Sequence, residues 1–378
     1  MEQMKKIKIC FISFGAYPLF NKNENSVFGG AEIDLYNLAL KMQDKGIFEV
    51  TFIVGDYGQK PVEHYNGIKV VKFRYMNLER YRGLYYKLMR HLAMWTGLFR
   101  LDSEILITEA SNEVLGWMAL ISKKLKSRKI IFRLAHDLDT GFRDVREKGY
   151  KTYLLYKAGI FNSDVIISQT DIQKKMLFDN MKLDSIVIKN GFDISKPVDF
   201  SQKDYILWVA RAQDWKRPEI FAEMARQLPG ERFVMIMPGE NEIKDGIRKK
   251  TRDLDNFKLI DYVPFSEVQK YYDGARLFVN TSEYEGFPNA FVQACLGGTP
   301  ILSFNVDPDG FIEKYDLGLL CNNDIHGAMD FIRQLTPERV AYYGRNAFGY
   351  VRENHDMEAI AKIYEDIIVR LHGDTGGK

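Results

Sequence analysis

Between Ser282 and Gly298 the chain reads Ser-Glu-Tyr-Glu-Gly-Phe-Pro-Asn-Ala-Phe-Val-Gln-Ala-Cys-Leu-Gly-Gly. These residue types suit the handling of a polar, anionic ligand. An apolar run, Leu277-Phe278-Val279, precedes the stretch and reads as a buried strand. The pattern breaks at Glu285-Gly286-Phe287-Pro288 and restarts as a helix near Asn289. Pro288 suits the first turn of that helix and Gly297-Gly298 supplies its stop. A strand, a glycine turn and a helix start in that order leave backbone N–H groups able to face an anion. Glu285 stands at the mouth of the turn, and Asn289 and Gln293, four apart, share one helix face.

A second set of chemistry-bearing residues follows the apolar run ending at Val209. Arg211 and Lys216 lie in Ala-Arg-Ala-Gln-Asp-Trp-Lys-Arg-Pro, at a strand's carboxyl end and ahead of a helix opened by Pro218. The planar fork of one and the compact charge of the other suit a diphosphate. The alternative is a solvated basic loop, since Arg217 is adjacent and surface-like. Near the start of the chain, Gly29-Gly30-Ala31-Glu32 opens a helix where a phosphate or sugar could approach the backbone. The same four residues also suit a glycine turn capping an ordinary helix. No Gly-x-Gly-x-x-Gly follows the first strand, and no Gly-x-x-x-x-Gly-Lys-Ser/Thr occurs, which argues against dinucleotide-binding and P-loop chemistry. Asp307-Pro308-Asp309, followed by Gly310, reads as a turn rather than as a metal site.

The elements that must hold these residues alternate. Strands are expected at Ile7–Ile12, Val50–Val54, Ile68–Phe73, Ile105–Thr108, Ile130–Leu134, Val165–Ser168 and Ile186–Ile188, with helices between most of them. The helix from Ala31 to Gly46 carries Leu35, Leu38, Ala39 and Met42 on one stripe. Asn190-Gly191 reads as a turn, and the polar segment Phe192 to Asp204, holding Pro197, as a linker. The alternation then resumes with strands at Ile206–Val209, Phe233–Met237, Lys258–Ile260, Leu277–Asn280, Ile301–Phe304 and Leu317–Leu320. Ser266-Glu267-Val268-Gln269 is a capping-box pattern expected to start a helix. Two closing helices are expected at about Pro337–Glu353 and Met357–Leu371. Such alternation implies parallel sheets in an α/β fold.

At 378 residues, two domains are the first expectation. A net charge of +2 leaves the molecule as a whole without the charge of a nucleic-acid binder. Cys10, Cys295 and Cys321 are odd in number and scattered in apolar runs, as expected of buried free thiols in a reducing compartment. With no run approaching the ~20 apolar residues of a membrane span, a cytoplasmic protein is expected.

Taken together, Gly29-Gly30-Ala31-Glu32, His136-Asp137, Asn190-Gly191-Phe192-Asp193, Arg211 with Lys216, and Glu285-Gly286-Phe287-Pro288 resemble glycosyltransferase family 4 in order and spacing. The resemblance covers about Lys6 to Leu371. It implies the GT-B fold, two Rossmann-like domains facing across a cleft, with the final helix returning to the first. The implied boundaries are 1–195, an acceptor-side domain; 196–355, a nucleotide-sugar-binding domain; and 356–378, the returning helix.

Arg211 and Lys216 are then implied to hold the donor diphosphate and to stabilise it as it leaves, with no metal and no cofactor. Gly286, Phe287, Pro288 and Asn289 resemble the loop that meets the donor sugar's hydroxyls, and Glu285 the first member of a Glu-x7-Glu pair. Gly29 and Gly30 are implied to lie beside the phosphates, His136 near the reacting sugar, and Val263 at the nucleobase. The chain departs from the family at the second carboxylate of the pair, where Gln293 stands. Glutamine keeps the length and one acceptor oxygen and loses the charge, so Gln293 is read as a retained ribose contact.

The implied activity is retaining transfer of a hexose-type sugar, from a nucleotide-diphosphate sugar with UDP favoured, to a hydroxyl acceptor. The acceptor is a carbohydrate or lipid-linked group in cell-surface polysaccharide or glycolipid assembly. A nucleotide-sugar epimerase of the same fold and a non-catalytic sugar-nucleotide-binding subunit are the alternatives. Residues 78–101 interleave Arg80, Arg82, Lys87, Arg90 and Arg100 with Tyr81, Tyr85, Tyr86, Trp95 and Phe99. Burial of the aromatics is expected there, with the basic face placed for peripheral contact at the inner face of a membrane.

Overall fold

The computed structural model describes residues 6–374 apart from 22, 25, 27, 78, 79, 110–112, 195–198, 201 and 202. Much of the linker expected at 192–204, the domain boundary expected at 195/196, and the start of the 78–101 stretch fall outside the described residues. The chain forms two compact units. One runs to Gly191 and is completed by the chain from Met357 onward; the other is Phe192–Asp356.

In the first unit, apolar runs form β1 (Ile7–Ile12), β2 (Phe48–Val54), β4 (Ile68–Lys72), β5 (Ile105–Thr108), β6 (Lys129–Arg133), β7 (Val165–Ser168) and β8 (Ile186–Val187). An added strand, β3 (Val62–Tyr65), completes the sheet order β3-β4-β2-β1-β5-β6-β7-β8. All neighbours are parallel except β3 and β4. Strand β3 is absent from the sequence reading because its residues are half exposed at a sheet edge and carry no apolar run. The signal was the turn: Asn66 and Gly67 both take positive φ, 49° and 80°, as a two-residue hairpin requires.

Both faces of this sheet are covered. On one, Leu35, Leu38, Ala39 and Met42 of the helix Gly30–Asp44 share a core with Ile360, Tyr364, Ile367 and Leu371 of the last helix, Met357–Gly373. Each leucine, isoleucine or methionine among them, fully buried, contributes about 1.5–3 kcal/mol. On the other face lie the helices Leu84–Arg100, Glu113–Trp117 and Tyr150–Phe161. Gly116 and Gly159 let the last two cross closely; a Cβ at Gly116 would stand 2.3 Å from the Leu155 carbonyl oxygen.

The second unit holds β9 (Tyr205–Val209), β10 (Phe233–Ile236), β11 (Phe257–Ile260), β12 (Ala275–Asn280), β13 (Ile301–Ser303) and β14 (Gly318–Leu320), all parallel, in the order β11-β10-β9-β12-β13-β14. Strand order reverses between β9 and β12, so the loops leaving their carboxyl ends diverge and open a crevice there. The helix expected at Ser266 starts one residue earlier, at Phe265. Pro264 is its N-cap, and its carbonyl accepts the Glu267 N–H at 2.8 Å. Ser266 therefore lies inside the helix and does not cap it.

Asn190-Gly191 is not a turn. The Asn190 side chain accepts from Arg133, and Phe192 forms an isolated bridge with Asp356, its N–H donating to the His355 carbonyl at 2.8 Å. A Cβ at Gly191 would stand 2.8 Å from Met357 Cε, the end of a flexible side chain that would have to move. Cys10, Cys295 and Cys321 are free and buried. Among the described residues, no helix is long and apolar enough to cross a membrane.

Candidate active site

Neighbouring parallel strands deliver the second unit's polar residues to one edge. After β9 the chain makes a short 3-10 turn, Asp214–Lys216, and Arg217 takes the left-handed conformation with φ 46° before the helix Pro218–Gln227 begins. After β12 it runs through Thr281–Pro288 into the helix Asn289–Leu296. These two loops are stitched together. Thr281 Oγ1 accepts the Trp208 indole N–H at 2.9 Å and donates to the Lys216 carbonyl. Arg217 Nε donates to the Thr281 carbonyl at 2.6 Å, and the Glu283 N–H to the Trp215 carbonyl at 2.9 Å. Trp215 and Tyr284 stack with centroids 6.2 Å apart.

That stitching sets the central contact. Lys216 Nζ pairs with Glu285 Oε1, which also accepts from Ser282 Oγ at 2.7 Å. The two charged side chains are only 16% and 12% exposed, so they are largely desolvated yet still reachable from outside. An ion pair so placed is stronger than a surface pair, and a ligand of higher charge can compete for the lysine. Arg211, on the same loop, is exposed and forms no ion pair among the described residues.

The remaining residues of the stretch are more structural than the sequence suggested. Phe287 is buried, its ring 5.2 Å from that of Phe311 and 5.0 Å from that of His355. This anchors Gly286 and Pro288 on either side. Pro288 is the N-cap of the helix rather than its first residue. Asn289 and Gln293 stand one turn apart on that helix. Gln293 is buried; its backbone carbonyl accepts from Gln269 Nε2 at 3.0 Å, and its side chain makes no hydrogen bond among the described residues. Val263 follows β11 at the same carboxyl edge, half-buried against the core.

Gly29, Gly30 and His136 belong to the first unit. Gly29 is the N-cap of the helix Gly30–Asp44, and its N–H donates to Glu32 Oε2 at 2.8 Å. Glu32 thus does ordinary capping work here. His136 follows β6 and caps the short turn Asp137–Thr140. Its Nδ1 accepts the Leu138 N–H at 3.2 Å, while Asp139 Oδ2 receives the N–H groups of Ala135 and His136 at 2.9 and 2.8 Å. With Nδ1 the acceptor, a neutral ring carries its proton on Nε2.

Residues 203–336 match the family model Glycosyl transferases group 1, and residues 28–196 match Glycosyltransferase Family 4. The chain belongs to the GT-B glycosyltransferases. It is 26% identical over 234 residues to the poly(ribitol-phosphate) alpha-N-acetylglucosaminyltransferase of Staphylococcus aureus (strain COL), which covers 59% of this chain and 46% of that enzyme. The chain thus spans about half the length of that relative. An uncharacterized glycosyltransferase of Haemophilus influenzae is 23% identical, over 78% of this chain and 83% of that one. In fold, the sucrose-phosphate synthase of Thermosynechococcus elongatus superposes with a TM-score of 0.79 over 98% of this chain and 100% of that one, at 17% identity. Anabaena HepE, solved in complex with UDP and glucose, gives 0.71 over 96% and 100%, at 15%.

In this GT-B glycosyltransferase Arg211, Lys216, Val263 and the stretch from Glu285 to Gln293 fall in the group 1 match. Gly29, Gly30 and His136 fall in the family 4 match. Two features went unread in the sequence. One is Arg217, taken there as a surface cation, which instead holds the β12 loop by its carbonyls. The other is a buried cluster in the first unit, where the Arg133 guanidinium donates to Glu109 at 2.9 Å, to Asp34 at 3.3 Å and to Asn190. Nothing local marks either of them, because their partners stand tens of residues away.

Proposed function

We propose that this protein is a retaining glycosyltransferase, independent of metal, that moves a hexose-type sugar from a nucleotide-diphosphate sugar, UDP-sugar favoured, to a hydroxyl acceptor. Assembly of a cell-surface polysaccharide or glycolipid is the proposed setting. The observation that carries the reading is the Lys216–Glu285–Ser282 group at the β9/β12 reversal, with Arg211, which forms no ion pair among the described residues, on the same loop. A diphosphate brings more negative charge than one carboxylate, so it draws Lys216 from Glu285 and recruits Arg211. The two cations then offset the charge that develops as the diphosphate leaves. Glu285, still held by Ser282, is freed to accept from the donor sugar's hydroxyls, and the Gly286–Asn289 backbone lies beside it. Gln293 is assigned to the ribose, Val263 to the base, Gly29 and Gly30 to the phosphates and His136 to the reacting sugar.

Retention follows if the acceptor hydroxyl attacks from the side the diphosphate leaves, its proton passing to a donor phosphate oxygen. The complex of Anabaena HepE with UDP and glucose supports uridine as the base. A carrier met at the inner membrane face suits the helix Leu84–Arg100. Its Tyr85, Trp95 and Phe99 are exposed, contrary to the burial expected of them, because the helix turns only a narrow side with Met94 and Leu98 to the core.

The test is incubation of the whole chain with a panel of nucleotide sugars, reading diphosphate release with and without hydroxyl acceptors. Release from one donor, stimulated by acceptor and insensitive to chelator, is expected. Conversion of donor to an isomeric sugar without acceptor points instead to an epimerase, and binding with no release to a non-catalytic subunit.

A further inference from the structure

A cavity of about 390 Å³ opens between the outer strands of the first unit and the helix Leu84–Arg100, bordered by Thr51, Lys69 and Arg74 on the sheet side and Thr96 and Arg100 on the helix side. The transfer chemistry makes no use of it. Its charges are unbalanced. Lys72, at its edge, is satisfied by the Gln59 carbonyl at 2.6 Å and Asp56 at 3.4 Å, and Asp102 by Lys8 at 2.6 Å. Lys69, Arg74 and Arg100 are exposed and form no ion pair among the described residues; with Lys72 they make four lining cations against two lining carboxylates, Glu49 and Asp102, the latter also acting on Lys69.

Beside this cavity the helix exposes Leu84, Leu88, Leu92, Trp95 and Phe99. Spacings of four, four, three and four put them on one stripe about 80° wide, with Thr96 next to its edge. No Asp or Glu occurs from Arg80 to Leu101. Lys126 lies over the Phe99 ring at 3.9 Å, adding a cation at the stripe's end.

We propose that the cavity takes the phosphate of an anionic lipid headgroup while the stripe lies in the bilayer interface. The proposal rests on, and sharpens, the membrane contact suggested above. An apolar stripe on a helix that carries cations and no acidic residue of its own, with Glu113 the acid that reaches its flank at His91, matches a surface that is apolar below and negative above. A second copy of the chain would bring the same cations against these. A soluble anionic polymer would satisfy the cations and leave the stripe in water.

The experiment is co-sedimentation of the full chain with phosphatidylcholine vesicles, alone or mixed with phosphatidylglycerol. It compares the wild type with Leu92→Ser/Trp95→Ser, with Lys69→Ala/Arg74→Ala/Arg100→Ala, and with Arg80→Ala/Arg82→Ala/Lys87→Ala, which removes the same charge away from the cavity. All these positions are exposed, and thermal melts confirm folding before binding is read. Wild type is expected to bind the mixed vesicles, and the stripe variant to release them. The cavity variant should lose at least tenfold more affinity than the outer one, with unchanged diphosphate release. Equal losses in the two basic variants overturn the cavity site and leave a diffuse membrane contact. Failure of the wild type to bind vesicles overturns the membrane contact and the cavity assignment with it. Inorganic polyphosphate bound through Lys69, Arg74 and Arg100, with vesicles ignored, assigns the cavity to a soluble polymer and overturns the lipid.

Discussion

At the scale of single residues, Lys216 and Glu285 are the pair on which the site turns. They hold each other in the absence of ligand, so replacing the lysine removes a diphosphate cation and leaves Glu285 with Ser282 alone. Lys216→Ala is expected to slow diphosphate release by about 100-fold, the usual size for removing one preorganised donor from a leaving group, read at saturating donor. Gln293→Glu places a charge at a buried position whose side chain makes no hydrogen bond among the described residues. Charged and neutral acceptors differ by about 1 kcal/mol, so nucleotide affinity by calorimetry should change by no more than about fivefold. Loss of all binding would remove Gln293 from the ribose. Glu109 makes one contribution to how stability depends on pH. Burial lifts its carboxyl well above the ordinary glutamate range; Arg133 pulls it down, and Asp34 on the same guanidinium pushes it up. The folded state therefore keeps this proton at pH values where the unfolded chain has lost it, and stability falls as pH rises from the ordinary glutamate value through the raised one. In melts across that interval Glu109→Gln should flatten the decline, and an unchanged slope would move the proton elsewhere.

At the scale of elements, two helical glycines separate packing from propensity. Gly116 lies where a Cβ would meet the Leu155 carbonyl oxygen at 2.3 Å, whereas Gly349, in the helix Pro337–Asn354, has nothing within 4 Å. Gly116→Ala is expected to cost about 2 kcal/mol by forcing two helices apart. Gly349→Ala should gain about 0.5–1 kcal/mol from helix propensity, and denaturant titration gives both signs in one series. What could be read from the sequence follows the same division. Buried parallel strands announce themselves as apolar runs, which is why β5 and β7 were found with their ends in place. Strand β3 was hidden by its polar edge position. The helix at Phe265 began early because Pro264, rather than Ser266, ends the extended chain. In the site, Arg211, Lys216 and Glu285 were legible as charges at strand ends. The bond between Lys216 and Glu285 was not, since 69 residues separate them and only the β9/β12 adjacency brings them together.

At the scale of the whole molecule, the two units should answer a nucleotide differently. The cations proposed for the diphosphate, the loop proposed for the sugar and the position proposed for the base all lie between β9 and the helix Asn289–Leu296, inside one sheet's carboxyl edge. A nucleotide that binds there stabilises the native second unit by mass action, about 2.7 kcal/mol at a hundredfold excess over Kd. Hydrogen exchange on the full chain with UDP should therefore slow at residues 211–217 and 281–293, where loop amides are otherwise quick to open. It should also slow in strands β9 and β12, whose deepest opening requires the unit to unfold. Peptides from the last helix, Met357–Gly373, should be unaffected, because that helix is buried in the first unit's core against Leu35 and Leu38. The Gly29–Glu32 turn is the informative exception. Its helix is already closed by Glu32 on the Gly29 N–H, so protection there would have to come from the phosphates themselves. Protection at Gly29–Glu32 with none at 211–217 would take the diphosphate away from Arg211 and Lys216 and give it to the first unit.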